Sequence, residues 1–168
     1  MYHVLDHVLA CLDELGRSRD LAADADAVRA ALWFHDAVWE PGRPDNEEAS
    51  ASLADAALSA AHVPEARRLA VRALVLATRH DRPAGDPDAR LIADIDLAIL
   101  GADPDDYDHY ERAVRREYGQ WSDAAFAAGR AAFAAGMLAR PRIYATERYF
   151  RRLEAAARAN LARSARLA

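Results

Sequence analysis

The stretch of sequence that decides the fold class is Ala30-Ala31-Leu32-Trp33-Phe34-His35-Asp36-Ala37-Val38-Trp39. Its alanine and leucine residues favour helix over strand, and Pro41-Gly42 ends the run. We therefore predict one helix that begins near Asp24 or Asp26 and continues to Trp39. An imidazole and a carboxylate, those of His35 and Asp36, interrupt the apolar surface of this helix.

The position of Asp36 calls for a partner. An ionised carboxylate among large apolar residues has to be paired, hydrogen-bonded or bound to a metal, because an isolated buried charge costs many kcal/mol. Adjacent helix residues project about 100° apart, so His35 and Asp36 can take neighbouring positions around one cation. A partly exposed Asp36 beside a core histidine explains the pattern equally well.

A second pair of carboxylates lies in Asp94-Ile95-Asp96, again among apolar residues. We predict that this segment belongs to a helix from Ala89 to Leu100 that ends at Gly101. It would supply the second half of a metal site. Histidine and carboxylate ligands without thiolate suit Mn, Mg, Co, Ni, Fe or Zn, and composition does not choose among them.

The rest of the chain also predicts helices, separated by proline, glycine and aspartate. We place them from about Tyr2 to Leu15 with a stop at Gly16, from the Pro44 to Glu48 loop to about Ala61, from Pro64 to Thr78-Arg79-His80, from Pro104 to Tyr118, from Ser122 or Asp123 to before Pro141, and from about Ala145 onward with a fraying tail. The prediction is an all-α fold of about eight helices, packed as one compact bundle and a single domain over residues 1–168.

Composition limits the classes of function. A net charge of −5 argues against a nucleic acid polymer as partner, because such binding depends on a basic surface. No apolar run is long enough to span a bilayer, so we expect no membrane partner. The single cysteine, Cys11, excludes a disulfide within the chain, which favours a cytoplasmic location. We interpret Cys11 as a small buried apolar residue on the first helix and not as a nucleophile.

Several segments resemble the HD-domain superfamily of predicted metal-dependent phosphohydrolases. They are Tyr2-His3-Val4-Leu5-Asp6-His7-Val8, Ala31-Leu32-Trp33-Phe34-His35-Asp36-Ala37-Val38, Asp45-Asn46-Glu47-Glu48-Ala49-Ser50-Ala51, Ala77-Thr78-Arg79-His80 and Asp94-Ile95-Asp96-Leu97-Ala98-Ile99-Leu100-Gly101. Tyr107-Asp108-His109-Tyr110, Arg115-Arg116-Glu117-Tyr118 and the stretch from Glu154 to Leu161 extend the similarity over essentially the whole chain. Relatives carry further residues before the Tyr-His motif, so we expect His3 and His7 to be less shielded here.

The resemblance implies a helical bundle that holds one divalent cation through an early histidine, a His-Asp pair and a distant aspartate. Carried over to this sequence, the ligands are His7, His35, Asp36 and Asp96. We prefer His7 to His3 because an apolar helix follows it, and we expect His3 to lie next to the ligands. We prefer Asp96 to Asp94 because it precedes the apolar end of its helix.

The resemblance also implies a phosphohydrolase that cleaves a phosphate ester of a nucleotide or other small phosphorylated metabolite with water activated by the metal. We expect Asp36, Glu47 and Asp96 to be catalytic, with Glu47 either the general base or a helix cap. Arg43, Arg79 and His80 are expected to bind the phosphate. His80 is equally well placed to support a ligand or to end its helix.

Two other functions fit the same residues. A dinuclear iron oxygenase of the same fold would need extra histidine ligands such as His62 and His80. A non-catalytic binding module would hold metal only weakly. The sequence leaves a homodimer open.

Overall fold

The structure, a computed structural model, describes residues 5–81 and 85–167, with side chains described as far as residue 165. Over these residues the chain is all-helical and contains no strand, which confirms the predicted all-α class for that part. The α-helices are α1 (Leu5–Ser18), α2 (Ala25–Phe34), α3 (Asn46–Ala60), α4 (Glu65–Ala77), α5 (Pro87–Asp96), α6 (Pro104–Glu117), α7 (Asp123–Leu138) and α8 (Glu147–Leu167). Two short 3₁₀-helices cover Arg19–Leu21 and Leu97–Gly101. The expected start of the first helix at Tyr2, and His3, lie outside the described residues.

The chain divides into two compact units at the junction of Asp96 and Leu97. Each unit has its own buried apolar residues. The N-terminal unit, α1 to α5, buries Cys11, Leu15, Ala27, Val28, Ala31, Leu32, Ala51, Ala54, Val71, Leu74, Val75, Leu91, Ile92 and Ile95. The C-terminal unit, from Leu97 onward, buries Leu97, Leu100, Tyr107, Tyr110, Ala113, Val114, Ala134, Met137, Ile143, Tyr144, Tyr149, Ala157 and Leu161. That residues 1–168 form a single domain stays a prediction.

Helix α2 is the centre of the N-terminal unit, because it packs against α1, α3, α4 and α5. Its residues Val28, Ala31 and Leu32 are completely buried. The helix begins after Asp24, whose side chain accepts hydrogen bonds from two backbone N–H groups of the first turn. Asp88, at the start of α5, accepts hydrogen bonds from the backbone N–H groups of Ala23 and Asp24 at 2.7 and 2.8 Å. This second carboxylate attaches the start of α2 to α5.

The end of α2 corrects a sequence prediction. The helix ends at Phe34 and not at Trp39, so His35 occupies the C-cap position and Asp36 lies in the turn that follows. Two buried side chains of α3 hold the next residues in a non-helical course. Ser50 accepts from the backbone N–H of Val38, and Asn46 hydrogen-bonds both the N–H and the C=O of Glu40. These tertiary hydrogen bonds outweigh the helix propensity of the local sequence.

Three further boundaries differ from prediction. Helix α1 continues through Gly16 to Ser18, whose hydroxyl donates to the carbonyl of Glu14. Helix α4 ends at Ala77, and His80 follows with a left-handed backbone, φ 55°. Helix α5 begins at Pro87 and ends at Asp96, after which the chain tightens into the 3₁₀-helix Leu97–Gly101.

In the C-terminal unit α8 packs against α7 and against the 3₁₀-helix Leu97–Gly101. The close approach depends on Gly101, because a Cβ at this position would lie 2.6 Å from the Cβ of Leu153. Polar side chains of α8 bind backbone groups of the same unit. Glu154 accepts from the N–H groups of Ile143 and Tyr144, and Asn160 donates to the carbonyls of Leu100 and Ala102.

The tyrosines Tyr107, Tyr110, Tyr144 and Tyr149 of this unit are buried.

Candidate metal centre

The metal ligands expected from the sequence come from three parts of the N-terminal unit. His7 lies in the first turn of α1, His35 and Asp36 lie at and just after the end of α2, and Asp96 is the last residue of α5. The C-terminal end of α2 carries partial negative charge from its last carbonyls. A cation is therefore favoured at this place by the backbone as well as by the side chains.

The donor atoms of these four residues lie close together. Nε2 of His7 is 3.1 Å from Nε2 of His35, 3.1 Å from Oδ1 of Asp96 and 3.5 Å from Oδ2 of Asp36. Nε2 of His35 is 3.1 Å from Oδ2 of Asp36 and 3.5 Å from Oδ1 of Asp96. Neighbouring ligand atoms around a cation bound at 2.0 to 2.3 Å lie about 3.3 to 3.8 Å apart in tetrahedral geometry and about 2.8 to 3.3 Å apart in octahedral geometry. The observed separations fall within these ranges.

The other ring nitrogen of His35 determines what its Nε2 can do. Nδ1 lies 2.8 Å from the carbonyl oxygen of Leu32, which can only accept, so Nδ1 carries a proton and donates it. This hydrogen bond also satisfies one of the carbonyls left unpaired at the end of α2. In the neutral ring Nε2 then presents a lone pair to the other donor atoms. Metal-binding histidines are commonly fixed in this way.

The electrostatics of the group call for positive charge at its centre. Burial alone would lower the pKa of His35, but the carboxylates of Asp36 and Asp96 outweigh burial and raise it well above its usual value. Burial would raise the pKa of Asp96, but the rings of His35, His7 and His80 outweigh it and lower this pKa well below the usual range. A proton on an imidazole or a metal cation would each supply the missing charge.

Asp36 gives more specific evidence that the group suits a cation. Its Oδ2 is buried and makes no hydrogen bond within the described part of the chain, although it lies 3.1 Å from Nε2 of His35. The contact therefore has the distance but not the direction of a hydrogen bond. A buried carboxylate oxygen without a donor is costly, and a cation would remove that cost.

Cys11 also belongs to the group. His7, Cys11, His35 and Asp96 each offer one ligand atom, all lie within 4.8 Å of one another, and together they could hold a metal ion. The side chain of Cys11 is buried, as expected from the sequence. Burial, and then the carboxylates of Asp96 and Asp36, raise the pKa of its thiol well above the usual value.

His80 contacts the candidate ligand Asp96 directly. Its Nε2 lies 2.8 Å from Oδ2 of Asp96, the carboxylate oxygen that does not face His7. The left-handed backbone of His80 follows the end of α4, a conformation that histidine adopts more readily than most residues. Of its expected roles, the geometry favours holding Asp96 in place.

The other expected site residues lie outside the group that could hold a metal. Arg43 donates to both carboxylate oxygens of Asp45, and Arg79 pairs with Glu48 and Asp81. Glu47 lies in the first turn of α3. Their roles in catalysis and phosphate binding stay predictions.

Asp94 and His62, which the sequence analysis named as alternative ligands, also lie outside the group that could hold a metal. Asp94 is almost completely buried, and Asp96 is the aspartate of α5 that faces the histidines, in accord with the preference for Asp96. His62 is exposed in the turn after α3.

Sequence reasoning missed the part that Cys11 takes in the group. The signal was present, because Cys11 follows His7 by four residues and so shares its helix face. Sequence reasoning also missed Asn46 and Ser50, which determine where α2 ends. Their spacing of four residues places both on one face of α3, but only the structure shows which backbone they bind.

No helix in the described part of the chain combines the length and apolar composition that a bilayer-spanning segment requires. Comparison of the chain with protein-family models, with curated proteins and with solved structures found no match.

Proposed function

We propose that this protein is a metal-dependent phosphohydrolase that cleaves a phosphate ester of a nucleotide or other small phosphorylated metabolite. The observation that carries the proposal is the convergence of His7, His35, Asp36 and Asp96, whose donor atoms approach one another to 3.1 to 3.5 Å. These residues come from distant parts of the sequence. Their convergence supports the ligand set that the resemblance implies.

The residues present fit a divalent cation. Two imidazole nitrogens that face each other at 3.1 Å beside two carboxylates form an arrangement of acceptors unless a proton or a cation lies among them. The unsatisfied Oδ2 of Asp36 supports the same interpretation. Two nitrogen and two oxygen donors suit a first-row divalent metal ion.

A divalent cation in this position would lower the pKa of a coordinated water and offset negative charge on phosphoryl oxygens. The protein's own residues supply the geometry. His80 holds the far oxygen of Asp96, and the carbonyl of Leu32 holds the ring of His35. These contacts fix the donor atoms before substrate binds, so little reorganisation is needed during the reaction.

Substrate would reach the metal centre from the side on which the carboxylates of Asp36 and Asp96 are partly exposed. The side chains of Asp36 and Asp96 are 14% and 17% exposed, so a small ester can approach the two carboxylates, whereas the histidines beneath them are buried. Arg43 and Arg79 remain the proposed phosphate contacts. Each would exchange a carboxylate partner for a phosphate, which offers the same paired acceptor geometry.

The test is metal analysis followed by a substrate screen. Protein purified without chelators is analysed for metal, and phosphate release is measured on nucleotides and sugar phosphates with Mn²⁺, Co²⁺ or Mg²⁺ supplied. We expect about one metal ion per chain and release of phosphate from at least one substrate class. His35→Gln should lose both properties.

His62→Gln is the matched control, because it changes an exposed histidine outside the group by the same substitution. It should keep wild-type metal content and turnover. A protein that carries stoichiometric metal but releases no phosphate from the whole panel would contradict the proposed activity. Equal turnover by the His35 variant and the wild type would contradict the proposed site.

A further inference from the structure

Cys11 lies one helical turn after His7 on the same face of α1. Its Sγ is 3.8 Å from Nδ1 and 3.7 Å from Nε2 of His7, and its residue surface is only 3% exposed. The ligand pattern of an early histidine, a His-Asp pair and a distant aspartate includes no sulfur at this position. Its neighbours are the ring of His7 and the other donors of the metal centre.

The distance between the sulfur and Nε2 of His7 is close to that between two ligands of one cation. A thiolate and an imidazole nitrogen that share a tetrahedral cation lie about 3.5 Å apart, because the two bond lengths are close to 2.3 and 2.0 Å. The separation of Sγ from Nε2 of His7 is 3.7 Å. Nε2 is also the His7 atom that faces His35 and Asp96. The nearly equal distances from Sγ to Nε2 and Nδ1 place the sulfur against the ring, so ligation requires a different rotamer of the Cys11 side chain.

We propose that Cys11 is a sulfur ligand of the cation, and that it makes the centre select thiophilic divalent metals such as Zn²⁺ and Co²⁺ over Mg²⁺ and Mn²⁺. The inference rests on the metal centre of the proposed function and names the class of metal that this centre takes. With His7, Cys11, His35 and Asp96 as the four tetrahedral donors, Asp36 and a water would share the remaining coordination. When the sulfur–metal bond forms, the thiol proton passes to solvent. Thiolate ligands favour zinc and similar ions, whereas carboxylates and water suit magnesium and manganese.

A different role for the same sulfur predicts another result. If Cys11 only holds the ring of His7 through Nδ1, its removal weakens metal binding but no sulfur–metal bond exists. Loss of affinity therefore does not distinguish the two roles. A spectroscopic signal of the bond does, and the chain has a single cysteine, so such a signal has only one possible source.

The experiment uses the full chain, freed of metal by dialysis against a chelator and titrated with Co²⁺. A cobalt–thiolate bond gives an intense charge-transfer band in the near ultraviolet, which nitrogen and oxygen ligands do not produce. We expect this band in the wild type at one equivalent of Co²⁺. We expect Cys11→Ser and Cys11→Ala to bind Co²⁺ without it.

Competition titrations give the second readout. In the wild type Zn²⁺ should displace Mg²⁺ and Mn²⁺, and Cys11→Ser should bind Zn²⁺ at least about 10-fold more weakly with little change for Mg²⁺. Stoichiometric Co²⁺ in the wild type without the charge-transfer band would overturn this inference and leave the proposed function standing. A wild-type protein that binds no Co²⁺ at the histidines would overturn both. The wild-type spectrum decides the question even if neither variant folds.

Discussion

The two compact units differ in one use of their buried polar side chains. In the C-terminal unit Glu154 and Asn160 each bind backbone groups, so their polar atoms replace hydrogen bonds that water would otherwise make. In the N-terminal unit the side chains of His7, His35 and Asp96 face one another. A buried carboxylate is therefore not by itself the sign of a site. The sign is a buried carboxylate whose neighbours are other potential ligands.

The same contrast occurs within a single helix. Asp88 and Asp96 lie at the two ends of α5, and both carboxylates are largely enclosed. Asp88 accepts from two backbone N–H groups, whereas Asp96 contacts three imidazole rings. This pair allows the structural and the functional use of a carboxylate to be separated by experiment.

The largest expected effect is that of Asp96→Asn. The variant should bind Co²⁺ or Zn²⁺ at least about 100-fold more weakly than the wild type, since loss of a ligand exceeds the 10- to 100-fold cost of losing an outer contact. Asp88→Asn should bind metal normally but unfold more easily, by about 1 to 3 kcal/mol, because one backbone N–H loses its acceptor. Calorimetric metal titration and urea unfolding measure the two effects. If Asp88→Asn lost metal as Asp96→Asn does, the distinction between the two carboxylates would fail.

Removal of the carboxylate of Glu154 should act on stability alone. Glu154→Ala leaves the N–H groups of Ile143 and Tyr144 without their acceptor, so the free energy of unfolding should fall by about 3 kcal/mol. Glu147→Ala on the same helix removes an exposed ion-pair partner and should cost much less, because solvent screens exposed ion pairs. Urea denaturation of both variants tests this. Equal losses of unfolding free energy in the two variants would show that the buried hydrogen bonds of Glu154 contribute no more than the exposed ion pairs of Glu147.

The variant His80→Ala tests whether His80 holds the proposed ligand Asp96 in position. We expect metal affinity to fall by about 10- to 100-fold, because Asp96 loses the hydrogen bond that holds its outer oxygen. His62→Ala is the matched control, since His62 has nearly the same left-handed backbone, φ 57°, but is exposed. Any effect of the backbone conformation should appear in both variants. Unchanged affinity in His80→Ala would assign His80 a role other than holding Asp96.

The smallest expected effect concerns packing in the C-terminal unit. Gly101→Ala places a Cβ against Leu153 and should destabilise the protein by about 1 to 3 kcal/mol. Gly129→Ala, in the middle of α7 with open space around it, should be neutral or stabilise by up to about 1 kcal/mol. Thermal unfolding compares the two. A tolerated alanine at position 101 would mean that α8 can move away from the 3₁₀-helix Leu97–Gly101.

Local sequence predicted most of the helices, because their starts and ends depend on short-range signals. Asp24 caps α2 and Pro104 opens α6, and both signals could be recognised without a structure. The end of α2 could not be predicted in this way. It depends on Asn46 and Ser50, which lie on another helix, and on a ring that binds the carbonyl of Leu32.

The candidate site was also predictable only in part, because only some of its residues stand out in the local sequence. His35, Asp36 and Asp96 stand out because each is polar within an apolar segment. Cys11 does not, since a cysteine on an apolar helix face has the pattern of an ordinary core residue. Only its distance from the ring of His7 identifies it as a candidate ligand.

The hydrogen bonds from α3 to the segment after α2 have a consequence for sequence variation. Asn46 and Ser50 hold Val38 and Glu40 in a non-helical course directly after His35 and Asp36, without touching the donor atoms. A chain with an intact His-Asp pair but altered residues at positions 46 and 50 would keep the motif and lose the hydrogen bonds that fix the backbone behind it.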